Sequence, residues 1–133
     1  MGKSRHNILK NRLIDFLSKN EINKYYTLFN RVVGNVYFKR GGKFVGPYKA
    51  GVKGQCDLYL YGLGETIEIE LKGSKDRLSK DQKKWIEFCI QNDISIFVLH
   101  EDEWEESITA LKACLNHSIR KYKKRISGQK IIE

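Results

Sequence analysis

The sequence predicts an α/β fold: a mixed β-sheet flanked by helices, in the order α-β-β-β-β-α-β-α. Three observations carry this expectation. The segment 3–19 has apolar residues at three- and four-residue spacing, the mark of a helix with one buried face. The segment 54–73, "GQCDLYLYGLGETIEIELKG", reads as two strands about a Gly-Leu-Gly turn. After it come an amphipathic helix, the short apolar run "DISIFVLH" and a last helix. That succession brings a strand back parallel to the one before the helix.

Taken in order, the first helix uses Ile8, Leu9, Leu13, Phe16 and Leu17 as its stripe, with Ser4 as its N-cap. Residues 25–37 are rich in aromatic and β-branched side chains, which favours extended chain with a break at Gly34-Asn35. "FKRGGKFVG" reads as strand, Gly-Gly turn and return strand. The stretch 46–54, with the single proline and three glycines between residues 46 and 54, reads as a loop. Strands follow at 56–61 and 66–72. Ser79 caps a helix reaching to about Asn92, with Trp85, Ile86, Cys89 and Ile90 inward. A strand over 93–100 is expected to lie buried within the sheet. The final helix is expected from Glu101 to about His117, its acidic residues in the first turns. Residues 1–118 then form one domain, and 119–133 a basic tail whose middle either extends the last helix or frays.

The 133 residues hold 25 Lys+Arg against 16 Asp+Glu, a net charge of +9. Such a balance favours an anionic partner, nucleic acid above all, with a membrane surface or an acidic protein also fitting. Three cysteines without a CxxC pair argue against a disulfide framework or a structural zinc site. No apolar run approaches the ~18 residues of a membrane span. The basic start "MGKSRHNILKN" lacks the apolar core of a secretory signal, and has His6 where a myristoylation signal needs Ser or Thr. A membrane-free, intracellular, cytoplasmic protein is expected.

The hairpin carries the chemistry. On the strand 66–72, Ile67, Ile69 and Leu71 share one face, and Thr66, Glu68, Glu70 and Lys72 the other. Glu68 to Lys72 spans about 13 Å. A tight turn at 62–64 sets Asp57 opposite Glu70 or its neighbour. Two carboxylates meeting at one point repel unless a proton or a cation lies between them. Mg²⁺ or Mn²⁺ suits such a pair, because hard cations take oxygen ligands and keep waters. Lys72, on the same face, can then reach a phosphate. The same charges also fit a solvated hairpin face with cross-strand ion pairs.

"GVKGQCDLYLY", "IEIELKG" and "LSKDQKKW", in this order, resemble the PD-(D/E)xK nuclease superfamily and most closely its VRR-NUC branch. The resemblance covers about Leu9 to Trp104. It implies a restriction-endonuclease-like fold and a Mg²⁺- or Mn²⁺-dependent endonuclease hydrolysing DNA phosphodiester bonds. By the same resemblance Asp57, Glu70 and the backbone carbonyl of Leu71 are metal ligands. Lys72 is the catalytic lysine, and Gln82 reaches in from its helix start. Two departures stand out. Cys56 replaces the usual proline before the aspartate, and His6 stands where the first helix usually offers a glutamate ligand. Glu68 is expected in a supporting or exposed role. Small stand-alone relatives of this branch, often from phages, tend to act as homodimers on branched DNA such as four-way (Holliday) junctions. That implies a structure-specific activity in a host cytoplasm. A non-catalytic nucleic-acid binder on the same fold is the alternative.

Lys39, Arg40, Lys43, Lys49 and Lys53 precede Asp57, with Tyr37, Phe44 and Tyr48 interleaved. That alternation suits a nucleic-acid groove. Arg31, Lys75, Arg120 and Lys121 are further candidates for phosphate contacts. Trp85 and Trp104 are expected to pack in the core.

Overall fold

The computed structural model describes residues 3–32 and 34–129. Helix α1 (Lys3–Lys19) leads through a 3₁₀ turn (Ile22–Lys24) to strands β1 (Thr27–Asn30), β2 (Gly34–Arg40), β3 (Lys43–Ala50), β4 (Leu58–Gly62) and β5 (Glu65–Lys72). Helix α2 (Lys80–Gln91), strand β6 (Ser95–His100), a second 3₁₀ turn (Glu101–Glu103) and α3 (Trp104–Gln129) complete the chain.

The main sheet has the order β1-β4-β5-β6. Its first three strands run antiparallel, and β6 lies parallel to β5 across the α2 connection. The expected mixed sheet with flanking helices is therefore present. Five strands rather than four precede α2. The extended stretch 25–37 divides, because the chain leaves the sheet after Asn30 and Gly34 opens a separate hairpin. Val33, at the division, lies outside the described residues.

Alternation builds the core. Leu58 and Leu60 pair with Ile69 and Ile67, so all four point to one face, joined by Leu71 and Leu99. Leu9, Leu13 and Leu17 of α1 and Leu111, Leu115 and Ile119 of α3 close over that face. Burial of these aliphatic side chains is the main stabilising contribution. The stripe of α1 is narrower than its pattern suggests: Phe16 is half-buried and Ile8 is 48% exposed. On α2 only Cys89 is fully buried, and Ile90 is 67% exposed. The reason is that α2 covers a polar sheet face and needs few apolar contacts.

Strand β6 is an edge strand, not an interior one, and only Leu99 is buried on it. Helix α3 begins three residues after Glu101, because 101–103 form a 3₁₀ turn, and it continues to Gln129. Residues 119–129, expected as part of a tail, extend this helix. The stripe Leu111, Leu115, Ile119, Tyr122, Ile126 explains the continuation, since it keeps helical spacing to the end. Tyr122 meets Tyr25 edge-on at 6.0 Å. Residues 130–133 of that tail lie outside the described residues.

Cys56 and Cys89 are buried and Cys114 half-buried, all as free thiols. Trp104 is buried as expected. Among the described residues no helix is long and apolar enough to cross a membrane.

Candidate active site

The second face of the sheet is where the acids gather. In the β4/β5 register Leu58 pairs with Ile69. Continuing one residue outward sets Asp57 opposite Glu70. Asp57 is exposed and Glu70 is 8% exposed, so the pair has one wet carboxylate and one sheltered one. Burial pushes the Glu70 carboxyl up from 4.5 to about 7, the nearby Lys72 ammonium opposes the rise, and the Asp57 charge adds to it. A glutamate held half-protonated beside a second acid is a place where a cation lowers the free energy.

Three groups hold Glu70. The Lys72 ammonium lies 3.9 Å from Oε1. Gln82 Nε2 donates to the same oxygen at 3.0 Å. The Cys56 thiol also bonds to Glu70, and burial beside the acids pushes that thiol well up. The orientation of Gln82 follows from helix capping. Its Oε1 accepts from Ser79 N–H at 2.8 Å, while its own N–H donates to Ser79 Oγ at 3.1 Å. This capping box fixes which end of the amide faces Ser79 and leaves the NH₂ end for Glu70. Gln82 is thus held beside Glu70 through an N-cap motif.

Gly54 seats the loop before Asp57 against α2. A Cβ at this position would fall 2.3 Å from the Asp81 carbonyl oxygen and 2.8 Å from Gln82 N, and its φ is +92°. Only glycine permits that contact.

The structure gathers Asp57, Glu70, Lys72 and Gln82. His6 is a further candidate ligand. It is half-buried in the first turns of α1, and among the described residues no hydrogen bond or ion pair joins it to either acid. Its neighbour Arg5 pairs with Glu101 just after β6, which brings the start of α1 to the same end of the sheet. No cluster of three or more His, Cys, Asp or Glu side chains suited to a metal exists among the described residues. The donor set on this face is two carboxylates, with main-chain oxygens and solvent to complete it. That composition fits a hard, water-retaining divalent ion better than zinc.

Of the two roles open to Glu68, supporting or exposed, the structure shows the supporting one; the partners that hold it, Arg31 and Trp85, were missed. Glu68 is 1% exposed. Both its oxygens bind Arg31: Nη2 to Oε2 at 2.7 Å, and Nη1 to Oε1. Trp85 Nε1 also donates to Glu68 Oε1, at 3.1 Å. Arg31, expected to face a substrate, is instead turned inward. Its guanidinium lies 4.6 Å over the Tyr59 ring and bonds the Cys56 carbonyl at 3.1 Å. Trp85 is half-buried and bonded rather than a plain core residue. The available signal was parity: Glu68 shares the face of Glu70 on a strand buried on both sides, so it needed a cationic partner.

The remaining basic candidates divide by location. Lys39, Arg40 and Lys43 are exposed around the Gly41-Gly42 turn of the β2/β3 hairpin, where φ values of +59° and +80° require glycine. Tyr37 and Phe44 are exposed beside them, Phe44 at 76%. The side chains of Lys49 and Tyr48 lie outside the described residues. Lys53 is exposed and 3.5 Å from Asp81. Lys75 is exposed in the turn after β5. Arg120 and Lys121 are not brought to the acids. Lys121 lines a cavity with Leu63 and Glu65 at the far end of β5, about 16 Å from Glu70 along the strand.

Residues 47–103 match the family model of the VRR-NUC domain, a nuclease domain of the PD-(D/E)xK-type superfamily. The match runs from β3 to the turn before α3 and contains all four gathered residues, while His6 lies before it. No curated protein and no solved structure matches the chain.

Proposed function

We propose that this chain, with a VRR-NUC nuclease domain over residues 47–103, is a Mg²⁺- or Mn²⁺-dependent endonuclease that hydrolyses DNA phosphodiester bonds, with branched or four-way junction DNA as its substrate. The convergence of Asp57, Glu70, Lys72 and Gln82 on one sheet face supports this reading above all.

Asp57, Glu70 and the Leu71 carbonyl would hold the ion, with His6 as a further ligand reached from α1. When bound, the ion activates water and neutralises charge on the phosphate. Asp57 faces solvent, where a phosphate can approach. Gln82 fixes one oxygen of Glu70, so the carboxylate keeps one orientation as the ion exchanges. The Lys72 ammonium is held at 3.9 Å from Glu70 by the strand itself. It can pair with a non-bridging oxygen of the scissile phosphate and stabilise the extra negative charge of the transition state. The absence of a third acidic ligand among the described residues favours the second reading, a nucleic-acid binder without catalysis.

The β2/β3 hairpin supports the substrate assignment. It forms its own two-stranded sheet and exposes Lys39, Arg40 and Lys43 with Tyr37 and Phe44. Lysines and arginines neutralise phosphates, and exposed rings stack on unpaired bases. We assign Lys53 and Lys75, near the two ends of the acidic pair in sequence, to the flanking phosphates. Lys49, Arg120 and Lys121 extend the basic surface, and a homodimer would present two sites to the arms of a junction. Replacing Lys39, Arg40 and Lys43 together with alanine should lower the salt slope of log K for DNA by up to about 3. A fluorescence titration across salt concentrations measures it, and an unchanged slope removes the hairpin from the DNA interface.

The assignment is tested with duplex, single-stranded, flap and four-way junction DNA in Mg²⁺, Mn²⁺ or EDTA. Cleavage of the junction should exceed that of the duplex and vanish in EDTA. Lys72→Ala should slow cleavage by about 10²–10³-fold while binding persists. Wild-type binding without cleavage in either metal would favour the non-catalytic reading.

A further inference from the structure

Arg31 bonds to both strands that carry the acids. Its N–H donates to the Asp57 carbonyl at 2.6 Å, and its guanidinium to the Cys56 carbonyl at 3.1 Å. Both groups belong to the entry into β4. The same guanidinium grips Glu68 with both arms. Glu68 lies on β5 with only Ile69 between it and Glu70. Trp85, on α2 one turn after Gln82, donates to Glu68 from the other side. One buried ion pair therefore ties together the segments carrying Asp57, Glu70 and Gln82.

Such a pair is a costly way to hold a fold together. A buried ion pair offers little net stability over apolar residues of the same volume, because both charges lose their water. Its particular property is directional: the planar guanidinium presents donors in a rigid fork, which a lysine cannot imitate. That geometry suits a device that sets distances. We infer that Arg31, Glu68 and Trp85 form a positioning cluster that holds Asp57 against Glu70 at the spacing a divalent ion requires. The inference rests on the metal-dependent reading of the acidic pair. Arg31 thereby acts through the acids and not on the substrate phosphate.

The test uses the full chain with Arg31→Lys, Glu68→Gln and the apolar double variant Arg31→Met/Glu68→Leu, which keeps the volume filled should a lone charge prevent folding. Tyr26→Phe serves as a structural control. It removes the 2.5 Å bond from Tyr26 Oη to Glu65 at the other end of β5. Two readouts are taken: exchange of the backbone amide at position 31 in metal-free protein, and the Mn²⁺ concentration giving half-maximal cleavage.

The cluster variants should exchange the backbone amide at position 31 faster and need about tenfold more Mn²⁺ or higher, within the range known for residues supporting metal ligands. Tyr26→Phe should change neither readout while lowering the unfolding temperature. Unchanged exchange at position 31 in folded cluster variants overturns the inference, whatever the cleavage shows. Faster exchange with an unaltered Mn²⁺ requirement also overturns it, since the tether then has no bearing on the ion. Faster exchange in a protein whose wild type never cleaves removes the nuclease reading and, with it, the metal-spacing role.

Discussion

Glu70→Gln should abolish cleavage and yet make the metal-free protein more stable at pH 8. Both effects follow from one sheltered carboxyl. Its pKa rises from 4.5 to about 7 on folding, with burial the largest cause. Between those values the folded state holds a proton that the unfolded state has released. Stability therefore falls as pH rises through that interval. At about 1.4 kcal/mol per unit, the Glu70 contribution to this fall is about 3 kcal/mol by pH 8. Glutamine keeps the shape and a hydrogen-bonding oxygen but carries no charge, so the variant escapes the penalty. The gain corresponds to about 10 °C in unfolding temperature for a domain of this size. Thermal unfolding in EDTA from pH 4 to 9 measures it: the wild-type curve should decline between pH 4.5 and 7, and the Gln variant should lack that decline.

The same pKa should set the pH dependence of the proposed cleavage. On the proposed reading Glu70 ligates the cation in its ionised form, so cleavage at low metal should rise through pH 7. Added metal competes with the proton and moves the midpoint downward. A rate independent of pH from 5 to 8 at limiting metal would remove Glu70 from the ligand set.

Gly54→Ala should be among the most damaging single-methyl changes in the molecule. The new carbon would lie 2.3 Å from the Asp81 carbonyl and 2.8 Å from Gln82 N, both main-chain atoms in the first turn of α2. Neither can swing aside as a side-chain end could. The φ of +92° adds backbone strain for any L-residue. Overpacking and strain together cost about 2–5 kcal/mol. Relief requires the loop and the helix start to separate, which draws Asp57 from Glu70 and disturbs the Ser79–Gln82 cap. Urea unfolding and Mn²⁺-dependent cleavage measured on the same preparation should both show large losses. Wild-type stability would mean that the loop does not pack on α2.

The legible part of this protein was its alternation. Ile67, Ile69 and Leu71 against Glu68, Glu70 and Lys72 set the two faces of β5, and the hairpin turn set the register that faces Asp57 with Glu70. Ser79 was equally plain as an N-cap, whereas the return bond from Gln82 that completes the capping box was not read. What escaped depends on which elements meet. Arg31 reads as a surface cation until β1 is laid beside β4, which turns it under Asp57 toward Glu68. Ile90 looked like a core residue on spacing alone, but α2 packs on a polar face. The length of α3 was obscured by its basic residues, although Tyr122 and Ile126 continue the apolar row between them.

Diffraction from crystals soaked in MnCl₂, recorded near the manganese absorption edge, addresses the acidic pair most directly. An anomalous peak within ligation distance of both Asp57 and Glu70, lost in Glu70→Gln crystals, is the expected result. A map without a peak there, at a pH where Glu70 is ionised, would contradict the assignment of this sheet face to metal-dependent hydrolysis.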